Sequence, residues 1–416
     1  MQKRKKLLLI GYNYHPEPTG IGKYSGEMID WFAMKGYDCT VITTYPYYPY
    51  WKVQEPYFKY RYWFLSESKE FESGGTIKVH RCPIYVPEKP SGVKRMLLDF
   101  SFLVSAGFKL LQLIPSKKFD YVITVVPSFM LGILGIFYKK ARKSKLLYHI
   151  QDLQIEAARD LQMIKSQKVI NTLFRIEKHI YNQCDLITSV GEGMIKKIKD
   201  KTSGNVSLFL NSTDLSLFYP IQDKTSLKTS FGFNPTDFIF LYSGAIGEKQ
   251  GLEAILHAAK EFREEPHVKF LICGSGPYKQ KLEATATELQ LSNVIFFPLQ
   301  PKEVFNEFLN MADVHLVIQK ANAGDLVMPS KLATILAVGG LALVTANEGS
   351  NLYSLVEEHA MGLLVEAENQ QALNEAIRKV TTEVDPAFSR NARSYAENNL
   401  SIESIMSSYE ELMTQS

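Results

Sequence analysis

Short apolar runs recur along the chain, each followed by a polar or glycine-bearing loop and then by a stretch with helical spacing. The first run, Lys6–Tyr12, predicts a parallel strand buried on both faces. The loop NYHPEPTGIGKYSGEM leads into a helix predicted over Ser25–Lys35, which Gly36 closes. Asp38–Thr43 predicts the second strand, and KVHRC, YVITVV, KLLYHI and DLITSV continue the alternation to about residue 205. Alternating strands and helices with apolar strands give a parallel sheet covered on both faces.

Near residue 206 the pattern restarts. Asn205–Leu210 predicts a strand, NSTDLSLFYP a connector, and then FIFLYSG, VKFLICG, NVIFFP, DVHLVIQ, LALVTAN and GLLVEA a second strand series. The expectation is α/β: two Rossmann-like, doubly wound parallel-sheet domains, 1–205 and 206–397, facing each other across a cleft. An amphipathic helix within 398–416 packs back on the first. Ligands of such sheets sit at the carboxyl ends of the strands.

Two apolar stretches raise the question of a membrane. Tyr121–Tyr138 carries no charge over 18 residues, but Pro127-Ser128 divides it into a strand and a helix. Val93–Ile114 predicts a helix with a wide apolar side and a narrow polar stripe of Ser101, Ser105, Lys109 and Gln112. It reads either as a core-facing helix or, with Lys89, Lys94 and Arg95, as one lying in a membrane surface. The basic start MQKRKK is followed by an apolar run too short for a secretion signal. The expected location is cytoplasmic, peripheral on the inner face of the plasma membrane.

Composition changes this picture only in part. With 45% hydrophobic and 22% charged residues, the 416-residue chain is not disordered. Its four cysteines are scattered, which excludes a disulfide framework and a zinc knuckle. Charge is uneven: residues 1–200 hold 31 Lys and Arg against 18 Asp and Glu, although the whole chain is only +3. A basic first half suits anionic lipid or a phosphorylated substrate. No nucleic-acid motif accompanies it, so no nucleic-acid partner is expected.

Several loops carry candidate chemistry. In PTGIGKY, Gly20 and Gly22 let backbone approach an anion at a helix start. YSGAIGEKQGL repeats that layout, with Gly244 and Lys249. In CGSGP, Gly274 and Ser275 leave room for a flat group such as a nucleobase. PSKLATILAVGG places Ser330 and Lys331 beside free N–H groups at a helix start, an anion cradle with its own charge. YHIQD puts His149 and Asp152 at a strand end, where they read as acceptor-handling groups or as structural hydrogen-bonders. The loop TYPYYPYW offers Tyr47, Tyr48 and Trp51 for stacking on a sugar.

In this order the motifs resemble glycosyltransferase family four, the retaining GT-B enzymes. The matching places include PTGIG, EKHIYNQCDLITSVGEGM, NSTDLSLFYP, YSG with KQG, CGSGP, MADVHLVIQ and PSKLATILAVGG. The run from PEPTGIGKYSGEM through TYPYYPYW and HIQD is similar to colanic-acid-type fucosyltransferases, which use GDP-fucose in exopolysaccharide assembly. The resemblance implies an acceptor-binding first domain and a second domain that binds a nucleoside diphosphate sugar. Thr19, Gly20 and Gly22 would meet the donor diphosphate, and Gly244, Lys249, Gly274, Ser275, Ser330 and Lys331 would complete its site. Tyr47, Tyr48 and Trp51 would bind a lipid-linked oligosaccharide acceptor at a membrane surface, with Asp152 and His149 positioning the reacting groups. Transfer would retain anomeric configuration without a protein nucleophile. No Asp-x-Asp is present, so no metal and no cofactor are expected. The chain departs from the family where a pair of glutamates stands eight positions apart: Leu326 and Thr334 occupy those places, and Thr334 offers only a hydroxyl. A UDP-sugar enzyme and a non-catalytic scaffold of the same fold are the alternatives.

Overall fold

The structure is a computed structural model that describes residues 4–17, 20–88, 92–115, 118–160, 164, 166–321 and 329–415. It divides into two units: one runs to Asn211 and takes in the chain again from Met406, and the other is Ser212–Ile405.

The first unit contains β1 (Lys6–Ile10), β2 (Asp38–Thr44), β3 (Leu65–Glu70), β4 (Thr76–Cys82), β5 (Tyr121–Val126), β6 (Lys145–Ile150), β7 (Leu186–Ser189) and β8 (Val206–Leu208). They form one sheet in the order β3-β4-β2-β1-β5-β6-β7-β8. Every pairing is parallel except β3 with β4, which is antiparallel. The central strands bury both faces, as their apolar runs require: Leu7, Leu8, Leu9 and Ile10 are all 0% exposed. β3 was not expected. Its sequence LSESKE is polar because it is an outer strand with most residues exposed, so no apolar run announces it.

The segment NVSLFL belongs to this sheet, not to the second series. Ile187 pairs with Val206, and Phe209 stacks on Tyr409 at 4.1 Å between ring centres. Local pattern could mark it as a strand but not choose its neighbour. Tyr409 lies on the Ile402–Gln415 helix, whose later turns join the first unit. There Tyr37 donates to Glu410, and Tyr409 also meets Phe32 at 6.3 Å.

The second unit contains β9 (Phe238–Ser243), β10 (Val268–Cys273), β11 (Val294–Phe297), β12 (Val314–Val317), β13 (Leu341–Thr345) and β14 (Gly362–Val365). Their order is β11-β10-β9-β12-β13-β14, all parallel. Phe240 stacks on Phe270 at 5.1 Å within a core that takes in Leu256, Phe262 and Leu343. In each sheet the winding reverses once, between β1 and β5 and between β9 and β12. At such a reversal the loops diverge and leave a crevice at the strand ends.

Candidate functional site

In the second unit the reversal brings together the end of β9, the end of β12 and the start of the Ser330–Ala337 helix. Pro329 precedes that helix without donating a backbone N–H, and Lys331 stands in its first turn. The Lys331 ammonium lies 3.7 Å from the centre of the Tyr242 ring. It also crowds Gly244: a Cβ built there would be 3.1 Å from Lys331 Nζ. Tyr242 donates its phenol proton to the Ala245 carbonyl, 2.7 Å away, which fixes the ring beneath the lysine. Among the described residues no carboxylate pairs with Lys331. Burial alone pushes its pKa down to about 7. A mostly buried cation with no counter-charge among the described residues, next to a helix start, can receive an anion.

Lys320 comes to the same edge from β12 and folds over Gly251, to whose would-be Cβ its Cγ would be 3.1 Å away. Sequence reading missed it because nothing in IQKA marks a cation that will lie across a glycine 69 positions earlier in the chain. Beside it a cavity of about 230 Å³ is lined by Ile318, Lys320, Thr345, Glu366 and Glu368 among others.

In the first unit the strand ends at the β1–β5 reversal present a different set. Glu17 is 3% exposed and ties two loops together. Its Oε1 accepts from the backbone N–H groups of Tyr47 (3.1 Å) and Tyr48 (3.0 Å), and its Oε2 from Asn13 (2.8 Å). Burial pushes its pKa to about 7, opposed by these hydrogen bonds. Tyr12, just past β1, packs edge-on against Phe102 at 6.2 Å. Its ionisation is opposed first by burial and then by Tyr47, Asp99 and Asp152 around it. Asp99 comes from the Gly92–Leu113 helix. One carboxylate oxygen accepts from Gln154 Nε2 at 2.7 Å, and Gln154 in turn accepts from the Phe129 N–H at 3.3 Å. Burial raises Asp99 to about 6. A phenol, two carboxylates (Asp99 and Asp152) and an amide at one sheet edge can exchange hydrogen bonds with several hydroxyl groups at once.

The sequence matches a known family. Residues 223–399 match the model described as glycosyl transferases group 1. Over 409 residues, 96% of this chain and 98% of the relative, the sequence is 38% identical to WcaI of Escherichia coli (strain K12), provisionally named a colanic acid biosynthesis glycosyl transferase. The chain belongs to the group 1 glycosyl transferases. Solved structures agree on the fold. Sucrose-phosphate synthase from Thermosynechococcus elongatus superposes with a TM-score of 0.72 at 18% identity, covering 99% of both chains. Anabaena Alr3699/HepE, solved in complex with UDP and glucose, superposes at 0.68 with 13% identity over 99% of this chain and 100% of its own. The transferase therefore has the GT-B fold.

Against this framework the residues expected from sequence fall into groups. Lys331 and Gly244 converge as described, while Ser330 is exposed at the helix start. Thr334 spends its hydroxyl proton on the Lys331 carbonyl at 2.9 Å, one turn into the helix. Lys249 lies in the short turn Glu248–Gln250, and its side chain lies outside the described residues, as do Thr19 and Leu326. The glycines of CGSGP have a different reason from the one expected. A Cβ at Gly274 would be 1.9 Å from the Gly244 carbonyl oxygen. Ile246 N–H donates to the Ser275 carbonyl at 2.9 Å. The two loops lie on each other, so the missing side chain at Gly274 admits a neighbouring backbone. Ser275 itself remains exposed.

In the first unit the helix begins at Gly20, five residues before the expected Ser25. Gly22 is small because a Cβ there would be 2.5 Å from Glu17 Oε2. Gly20 is exposed at the helix start with φ +63°, near Tyr48. Tyr47 is 3% exposed, packed between Tyr12 and Trp51, and cannot present a ring to a sugar. Tyr48 is 39% exposed and Trp51 intermediate, with Arg95 over its ring at 5.2 Å. His149 is also corrected. It is 1% exposed, its Nδ1 lies 3.0 Å from Thr188 Oγ1 and its Nε2 lies 2.8 Å from Gln151 Nε2. Burial lowers its pKa to about 3, so it stays neutral. It holds Gln151, which exchanges two hydrogen bonds with Asn211 at the unit boundary. Asp152, three residues further on, does reach solvent, and partial burial raises its carboxyl. Tyr12, Asp99 and Glu17 escaped sequence reading because they lie far apart in the chain and no motif spacing connects them.

Proposed function

We propose that the transferase moves a sugar from a nucleoside diphosphate sugar, GDP-fucose by resemblance, onto a lipid-linked oligosaccharide with retention of configuration. The setting would be exopolysaccharide assembly of the colanic-acid kind, on the cytoplasmic face of the membrane. The observation that carries this reading is Lys331, a mostly buried cation at a helix start with no carboxylate partner among the described residues. Supporting it are the name of WcaI and the UDP and glucose bound by HepE. In the reaction the bond from the anomeric carbon to the diphosphate breaks and a bond to an acceptor hydroxyl oxygen forms. The hydroxyl proton passes to the departing diphosphate, whose charge Lys331 and the helix N–H groups stabilise. Asp152, Asp99 and Tyr12 would hold the acceptor hydroxyls.

The test is thermal stability against GDP, UDP, ADP, CMP and their sugar conjugates. A ligand at about a hundred times its dissociation constant adds ~2.7 kcal/mol to the folded state. A selective shift with GDP and GDP-fucose, followed by transfer and an unchanged anomer by NMR, supports the proposal. A shift with UDP compounds alone transfers the reading to a UDP-sugar enzyme.

A further inference from the structure

The Gly92–Leu113 helix has two apolar faces, and among the described residues only one is covered. Leu98, Phe102, Ala106 and Leu110 are 0–3% exposed. On the other side Met96, Leu97, Phe100, Val104, Phe108 and Leu111 are each 51–60% exposed. The apolar surface continues onto the segment before β3, where Tyr62 is 71%, Trp63 73% and Phe64 39% exposed. Phe64 and Phe108 are joined at 5.8 Å between ring centres. A face of this size on a soluble surface marks an interaction site.

Charge says what covers it. Lys94 and Arg95 stand on the first turns of the helix, and Lys109 lies 5.0 Å above the Phe64 ring. Arg61 stacks on Phe58 and Tyr62 at 3.8 and 4.3 Å. Asp99, the only acidic residue of the helix, is turned away and bonded to Gln154. The helix is long and apolar enough to cross a membrane by composition. Crossing would strip the buried stripe from the sheet, so the physical arrangement is a helix lying in the interface plane. Tyr and Trp at the margin and cations around an apolar stripe are what that plane selects.

We propose that this face of the first unit seats on an anionic lipid bilayer. Phe100, Val104 and Phe108 enter the acyl boundary, Tyr62 and Trp63 lie at head-group level, and Lys94, Lys109 and Arg61 face the lipid phosphates. The inference rests on the reading of a lipid-linked acceptor and gives it a location: Asp99 is carried on the same helix one residue from Phe100, so docking the helix sets the acceptor-side carboxylate at the bilayer surface.

The experiment is flotation of the full chain with vesicles of phosphatidylcholine alone and of phosphatidylcholine with phosphatidylglycerol. Expected is binding to the anionic vesicles, weakened by salt. The double variant Phe100→Asp/Phe108→Asp should lower it by about ten-fold or more per residue, and Lys94→Ser/Lys109→Ser should reduce its salt sensitivity. The donor thermal shift should be unchanged in both variants, which also shows that they fold. Alkaline carbonate should release the parent protein from the vesicles. Equal flotation of parent and Phe100→Asp/Phe108→Asp overturns the proposal. So does a dimer in sedimentation that the same variant dissociates, because a second copy would then cover the face. Vesicle binding needs neither donor nor acceptor, so loss of the donor shift with vesicle binding intact would instead defeat the functional reading.

Discussion

Replacing Lys331 by methionine should make the protein more stable and a worse donor binder. In the folded state burial lowers the lysine from 10.5 to about 7. Each unit corresponds to ~1.36 kcal/mol, so below pH 7 holding the charge costs up to about 5 kcal/mol. Between pH 7 and 10.5 the unfolded chain binds more protons than the folded one, so the stability of the parent protein rises with pH through that window. The advantage of Lys331→Met is therefore largest at or below pH 7, about 3 kcal/mol at pH 8, and gone above pH 10.5. Methionine matches the length of the buried stem and can rest on the Tyr242 ring. Among the described residues no carboxylate is left unpaired by the change, which separates this case from breaking a buried ion pair. Binding should go the other way, since a charge-assisted contact to a diphosphate is worth about 1.5–3 kcal/mol, or roughly ten- to a hundred-fold in affinity. Urea unfolding at several pH values, with and without nucleoside diphosphate, reads both effects. Titration calorimetry in buffers of different ionisation enthalpy should also show a proton taken up on binding above pH 7. A variant that is less stable than the parent at pH 7 and binds the nucleotide equally well would refute the argument.

Other outcomes follow from the same geometry. Asp99 is raised from 3.8 to about 6, so its burial lowers stability as pH rises through that window. Asp99→Asn should add up to about 3 kcal/mol at pH 7, raise the KM for acceptor more than it lowers kcat, and remove an acid limb near pH 6 from the rate profile. Gly274→Ala puts a methyl 1.9 Å from the Gly244 carbonyl oxygen and should cost about 3 kcal/mol or more in thermal unfolding, whether or not donor is present. His149→Ala should cost about 2–4 kcal/mol by leaving a hole beside Phe209 and freeing Gln151, while the pH dependence of kcat stays where it was because His149 does not titrate above pH 4.

The sequence by itself determined the strand-and-helix alternation. Parallel strands buried on both faces must be continuously apolar, and runs such as YVITVV and KFLIC can be little else. It also determined the start of the Ser330–Ala337 helix, because proline and a following polar pair fit only a first turn. Local pattern says whether a residue is buried, not against what. Thus NVSLFL was visible as a strand, but its pairing with β7 was not. LSESKE carried no apolar signal because an outer strand needs none. His149 and Asp152 looked alike in HIQD, yet one turns into the sheet and the other out to solvent. The tertiary structure alone decided which charges go unpaired. Lys331 is an ordinary lysine in PSKLA until β9 brings Tyr242 beneath it. Asp99 and Tyr12 become one site only because a 22-residue helix packs its Phe102 edge-on against Tyr12. Desolvation depends on everything that surrounds a group, and that surrounding is assembled from segments the chain order keeps apart.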